Sequence, residues 1–338
     1  MTSPNLSSRF DPGALAPGSL ITVFGASGFL GRHLVGALAR RGYRVRAAMR
    51  RPNQALFLKP MGDVGQIELV QANIRDEASC AAAIDGADAV INLVGILFES
   101  GRQRFAAIHQ EGAERLARLS AQAGLERFVQ LSALGAETSS TAAYARSKAG
   151  GEAAVLAHLP TATIVRPSII FGPEDEFFNR FAALARLSPA LPLIGGGQTR
   201  FQPVYVKDVA DAIAGFGADK TALGCTYEFG GPQVATFAEL MAFVLEVTGR
   251  SRALIPVPAS LAKFEAFFLQ LLPNPLLTVD QVELLKYDNV VSDQAEAEGR
   301  TLKGVGLEPA SYEAIVPSYL YRFRRTGQFG AASGSVGS

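Results

Sequence analysis

A doubly wound α/β fold, a parallel sheet with a smaller and mostly helical C-terminal lobe, follows from three features of the sequence. Short apolar runs alternate with helix-periodic segments through the first half of the chain, the pattern of strands crossing over through helices. The runs are unbroken rather than alternating, as in AVINLV at 89–94, which suits strands buried on both faces. The first run passes directly into glycines 25, 28 and 31 and then into a helical segment, ITVFGASGFLG at 21–31 followed by 33–39.

That glycine spacing makes physical demands. Gly25 lets the chain leave the strand at positive φ without a Cβ penalty. Gly28 lets the backbone approach a pyrophosphate, and Gly31 lets helix and strand pack closely. The helix start presents free N–H groups and a positive dipole end to an anion. Three glycines alone make a loop; between a strand and a helix they make a dinucleotide site of the Rossmann type.

A second strand over 43–48 ends at Arg50, Arg51 and Pro52. A site selecting NAD usually carries an acidic residue there to hold the ribose hydroxyls. A guanidinium instead suits a 2′-phosphate, so NADP(H) is expected over NAD(H), with Arg50 the stronger candidate of the two. Then come a strand over 67–72, a loop at 73–76, a helix over 78–84, the strand 89–94 ending at Gly95, and a helix over 105–124. A strand over 128–131 ends at Ser132, a helix contains 144–157, and a strand follows over 161–165.

The sequence YARSK places Tyr144 and Lys148 at i and i+4, on one helical face. A phenol with a pKa near 10 becomes a usable acid or base when a lysine charge stabilises its phenolate. The pair gains force from following Ser132 and a complete dinucleotide half.

The second half reads as a helix over 174–187, a loop over 188–200, a return to the sheet at 204–206, a helix over 209–216 capped by Asp208, a strand over 227–229 and a helix over 236–248. The stretch 254–277 is strongly apolar, and its helix, 261–272, is shorter than the roughly 20 residues a bilayer needs. Its surplus apolar surface is either buried in the lobe or set against a partner or a membrane surface. The expected organisation is a disordered arm at 1–18 without the features of a secretory signal, a nucleotide-binding domain at 19–172 rejoined by 203–216, a lobe from 173–202 and 217–325, and a disordered Gly- and Ser-rich tail at 326–338.

Of the 338 residues 48% are apolar and 19% charged, and a net charge of +1 gives no electrostatic case for nucleic acid. Cys80 and Cys225 show neither a disulfide framework nor a zinc spacing. His33, His109 and His158 lie at no metal-ligand spacing and read as surface or half-buried residues, so no metal site is expected.

GASGFLG, Ser132, YARSK, IVRPSIIFGP at 164–173 and PVYVKDVADAI at 203–213 resemble the extended and atypical short-chain dehydrogenase/reductase superfamily, with its NAD-dependent epimerase/dehydratase-like members. KPMGDVGQ at 59–66, together with 23–31, VINLVG at 90–95 and 202–209, resembles one branch of it. That branch is the dehydrogenase-like accessory subunit nine of the alpha subcomplex of respiratory complex I, with its bacterial relatives. The resemblance spans about residues 20–325.

By position, the resemblance implies a pyrophosphate loop of Gly25, Ser27, Gly28, Phe29, Leu30 and Gly31, with Arg50 at the 2′-phosphate. Asn73 and Ile74 would flank adenine, and Val94 and Gly95 would lie under the adenosine ribose. Ser132, Tyr144 and Lys148 would face the nicotinamide ribose, and Pro167, Ser168 and Ile169 the nicotinamide ring. Active relatives usually carry a serine or threonine two residues after Ser132; here it is Leu134, which cannot donate a hydrogen bond. Losing one such donor costs about 3 kcal/mol of transition-state stabilisation. Ser132, Tyr144 and Lys148 are therefore either a catalytic set or groups that only hold cofactor.

The branch implies an NADP(H)-binding accessory or assembly component of complex I, on the peripheral arm near the quinone site. It also implies a cytoplasmic location, or a peripheral one on the cytoplasmic face of a bacterial inner membrane, with 254–277 as a possible membrane-surface contact. The alternatives are a freestanding NADP(H)-dependent oxidoreductase linked to ubiquinone biosynthesis and, further off, a sugar-nucleotide epimerase or dehydratase.

Overall fold

The computed structural model of the chain describes residues 15–217, 222–270 and 277–325. Expectations for 1–14, for the tail 326–338 and for 271–276 of the apolar stretch lie outside them. The chain divides into two units. The first takes the described residues up to 167 with 207–229 and 293–307; the second takes 168–206, 230–292 and the described residues from 308 onward.

The first unit is built on a seven-stranded sheet. Its strands are β1 (Leu20–Phe24), β2 (Arg44–Met49), β3 (Ile67–Gln71), β4 (Ala89–Asn92), β5 (Phe128–Leu131), β6 (Thr163–Pro167) and a last strand, Thr226–Phe229. The spatial order is Thr226–Phe229, β6, β5, β4, β1, β2, β3, and every pairing is parallel. Val23 aligns with Ala47 on one side and Ile91 on the other, so the carboxyl ends of β1, β2 and β4 meet at one edge. The central β1 is wholly buried, and its one polar side chain, Thr22, donates to the Ala83 carbonyl at 2.8 Å.

Four helices matter to the site: α1 (Phe29–Arg40), α2 (Glu77–Ile84), α3 (Glu111–Gln122) and α4 (Ala143–His158). The apolar period predicts α1 only from 33, but the helix starts at Phe29, because Gly28 serves as N-cap and Gly31 packs within the first turn. Asp76 caps α2 by accepting the Ser79 N–H at 2.7 Å. A π-helical turn, Ala106–Gln110, precedes α3. The missing side chains of Gly150 and Gly151 bring α4 onto that turn; a Cβ on Gly151 would lie 2.0 Å from the His109 carbonyl oxygen. On its other side α4 is tied to β6 by a two-pronged ion pair, Arg166 Nε to Glu152 Oε1 at 2.9 Å and Nη2 to Oε2 at 2.6 Å.

In the second unit, helices Phe178–Leu187 and Phe237–Thr248 enclose an aromatic core containing Phe178, Phe201, Phe237 and Tyr312. The helix expected from 174 starts at Phe178 because the buried Asp175 carboxylate turns the chain. It accepts the N–H groups of Gly172, Phe177 and Asn179 and the Tyr319 hydroxyl.

Several expectations are corrected. The loop over 188–200 contains the strand Ala190–Ile194, paired with Ala253–Val257, because Leu191 and Leu193 turn into the core. Residues 204–205 do not return to the large sheet; they pair with Ile170–Phe171 in the second unit. The next helix begins at Val206, so Asp208 lies in its first turn rather than at its cap. Thr226–Phe229 and 293–307 join the first unit instead of the lobe, where Arg300 holds the last strand through its carbonyl to the Glu228 N–H at 2.9 Å.

The apolar helix of 254–277 runs over Ala259–Leu269. It packs small residues, Ala262 and Ala266, against Val282, while Leu261, Phe264 and Phe267 are 49%, 65% and 56% exposed. Among the described residues no helix is long and apolar enough to cross a membrane.

Candidate functional site

Gly25 and Gly31 meet the backbone demands that the sequence sets for them. Gly25 has φ 82°, and its N–H donates to the Ala48 carbonyl at 3.1 Å. A Cβ there would lie 3.2 Å from the Leu93 carbonyl carbon. Gly31 is the tightest point: a Cβ would lie 2.3 Å from the Gly25 oxygen and 2.6 Å from the Ala26 oxygen. No side chain caps α1 and no acidic residue sits in its first turn, which keeps that helix end open to an anion. Ser27 and Phe29 are half-buried beside it, and Leu30 anchors the turn in the core.

At the carboxyl ends of β2 and β3, Arg50, Arg51, Pro52, Asn53, Gln54 and Gln71 line a cavity of about 380 Å³. Arg50 Nη1 donates to Gln103 Oε1 at 3.0 Å. Asn73 is held by its N–H to Ser79 Oγ at 3.1 Å, and its Oδ1 accepts the Arg75 N–H at 3.2 Å. The Ile74 side chain goes into the core, where a Cβ on Gly112 would touch it at 2.8 Å, so Ile74 can meet a ligand through its backbone. The Val94 N–H donates to Asn92 Oδ1 at 3.1 Å, and Asn92 Nδ2 donates to Gln130 Oε1 at 2.9 Å. This buried amide pair fixes the 93–95 turn to β5.

At the carboxyl end of β5 the Ser132 N–H donates to the Val165 carbonyl at 2.7 Å, and the Leu134 N–H to Pro167 at 3.0 Å. Leu134 is buried. Lys148 is buried too, and its Nζ donates to the Leu131 carbonyl at 3.1 Å and lies 5.9 Å from the centre of the Tyr144 ring. Burial pushes the Lys148 ammonium down to about 8, with Glu152 opposing.

Next to it stands His109, 3% exposed. Its Nε2 accepts the Ile96 N–H at 3.0 Å, which leaves the proton on Nδ1 to donate to Ser147 Oγ at 2.8 Å; Ser147 in turn donates to the Tyr144 carbonyl at 2.7 Å. Burial first, and the Lys148 charge second, push its pKa down to about 3, so the ring is neutral. Tyr144 meets the edges or faces of His109 and Phe105 at 5.5 and 5.9 Å between ring centres. Gly95 lies against this group: a Cβ there would be in ordinary contact, 3.5 Å from Lys148 Nζ and 3.6 Å from His109 Nε2.

The NAD dependent epimerase/dehydratase family profile matches residues 21–222. The chain belongs to that family. Within it, the chain is 38% identical over 92% of its length, and 79% of the relative's, to the mitochondrial NADH dehydrogenase [ubiquinone] 1 alpha subcomplex subunit 9 of Arabidopsis thaliana. The Mus musculus subunit of the same name is 35% identical over 91% of this chain and 81% of its own. Among solved structures, an NADPH-dependent quinone oxidoreductase of Escherichia coli complexed with NADPH superposes with a TM-score of 0.69, at 19% identity over 89% of this chain and 99% of that one. That last likeness concerns the fold.

In this family the first unit is a pyridine-nucleotide domain, and its residues fit such a cofactor. Gly31 packs too close to backbone for a side chain while no side chain caps the end of α1, and among the described residues the buried Ser132 hydroxyl has no hydrogen-bond partner. The residues expected at the site from Gly25 to Gly31, with Arg50, Asn73, Val94, Gly95, Ser132, Tyr144, Lys148 and Pro167, all lie in the first unit. Ser168 and Ile169 fall in the second unit, where Ser168 Oγ donates to Asn289 Oδ1 at 2.7 Å and the Ile169 N–H donates to the same oxygen at 3.1 Å.

The expectation of a surface or half-buried histidine fails for His109. Ligand spacing was the wrong test, because the π-turn and Gly151 turn the ring inward as a hydrogen-bonded packing group. Gln130 and Gln103 also escape a reading by motif. Only a polar residue inside an apolar strand marks Gln130, and nothing marks Gln103.

Proposed function

We propose that the chain binds NADP(H) in its first unit and serves as an accessory or assembly component of NADH:ubiquinone oxidoreductase, holding the cofactor without turning it over. The observation that carries this reading is Leu134, buried with its N–H bonded to Pro167, at the position where a substrate oxygen would need a hydroxyl. The relatives named as complex I subunits match nearly the whole chain, both units included, which supports the partner. Gly25 to Gly31 would hold the pyrophosphate, Arg50 the 2′-phosphate, and Ser132, Tyr144 and Lys148 the nicotinamide ribose. A bound NADPH supplies a hydride donor; this chain's own groups orient it and keep it dry. The exposed Leu261, Phe264 and Phe267 support a contact with the quinone-side arm or the adjoining membrane surface, peripheral and cytoplasmic in a bacterium.

A second reading, a freestanding NADP(H)-dependent reductase of a quinone-related substrate, is favoured by the buried, unpartnered Ser132 hydroxyl, which could take the place of the missing donor. Affinity purification from native membranes, paired with NADPH binding and oxidation assays, separates the two. The accessory role predicts co-purifying complex I subunits and NADPH binding unchanged in Tyr144→Phe. Substrate-dependent NADPH oxidation abolished in Tyr144→Phe would overturn it.

A further inference from the structure

The segment after β4 does more than lead to α3. In the sheet β1 lies between β4 and β2, with β3 beyond. Residues 97–104 nevertheless reach side chains that follow β2 and β3. Gln103 Oε1 accepts from Arg50 at the end of β2 (3.0 Å), and the Arg102 carbonyl accepts from Arg75 Nη1 beyond β3 (2.9 Å). Both contacts are with arginines that follow strands lying beyond β1 in the strand order.

The segment has its own internal frame. Ser100 and Gln103 exchange backbone hydrogen bonds of 3.0 and 2.9 Å, and Glu99 accepts the Phe105 N–H at 2.7 Å while pairing with Arg104 at 3.3 Å. It also gathers charge. Arg50, Arg51, Arg75 and Arg102 converge on this end of the sheet, and among the described residues none of the four pairs with a carboxylate. Arginines left unpaired by carboxylates, two of them lining a cavity of about 380 Å³, suit an anionic ligand.

We propose that residues 97–104 form a strap across the adenosine end of the bound dinucleotide, in which Gln103 orients the Arg50 guanidinium and so sets selectivity for a 2′-phosphorylated adenosine. Arg50 has five N–H donors in a fixed plane. One goes to Gln103, which fixes the plane and leaves the others for phosphate oxygens. Arg75, by holding the Arg102 carbonyl, keeps the strap's tip in place and adds a second cation. Gln103 is a positioning residue, acting through Arg50. The inference rests on the NADP(H) reading above and goes beyond it by assigning selectivity to a segment outside the glycine turn and outside β2.

The test uses the full chain. Affinities for NADPH, NADH, 2′,5′-ADP and 5′-AMP are measured by calorimetry for wild type, Gln103→Ala, Gln103→Glu and Arg50→Ala. Trypsin cleavage after Arg102 and Arg104, both exposed, is followed with each nucleotide present. The strap predicts that Gln103→Ala weakens NADPH and 2′,5′-ADP about fivefold or more while moving NADH and 5′-AMP less than twofold. Gln103→Glu, which offers Arg50 a carboxylate, weakens the phosphorylated pair further. NADPH slows cleavage at the strap more than NADH does. If Arg50→Ala is selective but the Gln103 variants affect all four ligands alike, or none, the strap falls and the NADP(H) reading stands. If Arg50→Ala weakens NADPH and NADH equally, both fall.

Discussion

Acidifying the protein from pH 7 to pH 5 should cost about 2 kcal/mol of folding stability through His109 alone. The ring's Nε2 already accepts the Ile96 N–H, so a second proton would set a donor against a donor. The same proton would add a positive charge beside Lys148, in a site where His109 is 3% exposed. Burial and that charge hold the folded pKa at about 3, against 6.5 for a free ring. Between those values the unfolded chain binds a proton that the native state refuses. Stability is therefore complete above pH 6.5 and drains as pH falls toward 3, at about 1.4 kcal/mol per unit, which gives about 2 kcal/mol by pH 5. Two measurements check this. Urea unfolding of wild type and His109→Gln at pH 7 and pH 5 should show the extra acid sensitivity only in wild type. A titration of the three histidines by NMR, assigned with the same variant, should leave His109 untitrated down to pH 4. A His109 midpoint between 5.5 and 7, or equal acid sensitivity in the two proteins, would refute the buried neutral assignment.

Two other perturbations follow from the packing. Gly31→Ala drives a methyl onto the Gly25 and Ala26 carbonyl oxygens at 2.3 and 2.6 Å, backbone that cannot step aside, so we expect about 2 kcal/mol of destabilisation and a marked loss of nucleotide affinity; unchanged thermal stability and binding would contradict it. Glu152→Gln leaves the Arg166 guanidinium with the more distant Glu228, 3.8 Å away, as its nearest carboxylate among the described residues, and should cost about 3 kcal/mol in denaturant unfolding, whereas a loss below about 1 kcal/mol would mean that water already compensates the pair.

Most elements of the first unit are legible in the sequence because its central strands β1, β4 and β5 are buried almost throughout, although the edge strand β3 is only partly so. The glycine turn is legible because Gly25 takes a positive φ and Gly31 lies where a Cβ would strike backbone oxygens. The second unit is less so. Ala190–Ile194 reads as loop because a proline and short apolar runs hide a strand whose partner, Ala253–Val257, lies far along the chain. Thr226–Phe229 looks like part of the lobe because nothing local announces that it pairs with β6. In the site, Tyr144 and Lys148 are visible by helical spacing, whereas His109, Gln130 and Gln103 depend on contacts between elements distant in sequence.

The arrangement of Lys148 bears on whether this site does chemistry. A lysine that tunes a tyrosine must keep its charge and be able to engage cofactor hydroxyls. Here the ammonium sits in a closed space between Gly95 and His109 and donates to the Leu131 carbonyl, at the end of the strand that carries Ser132. Burial holds its pKa down to about 8, so at neutral pH it remains charged with a narrow margin. The neutral His109 helps preserve that charge, since a second cation would lower the margin further. The cluster thus holds α4, the π-turn and β5 in register while keeping one proton ready. With Leu134 unable to donate, the buried Ser132 hydroxyl would have to polarise any substrate oxygen beside the Tyr144–Lys148 pair. Under the proposed accessory role these bonds serve to hold the nucleotide; under the reductase reading Ser132 must supply the missing donor.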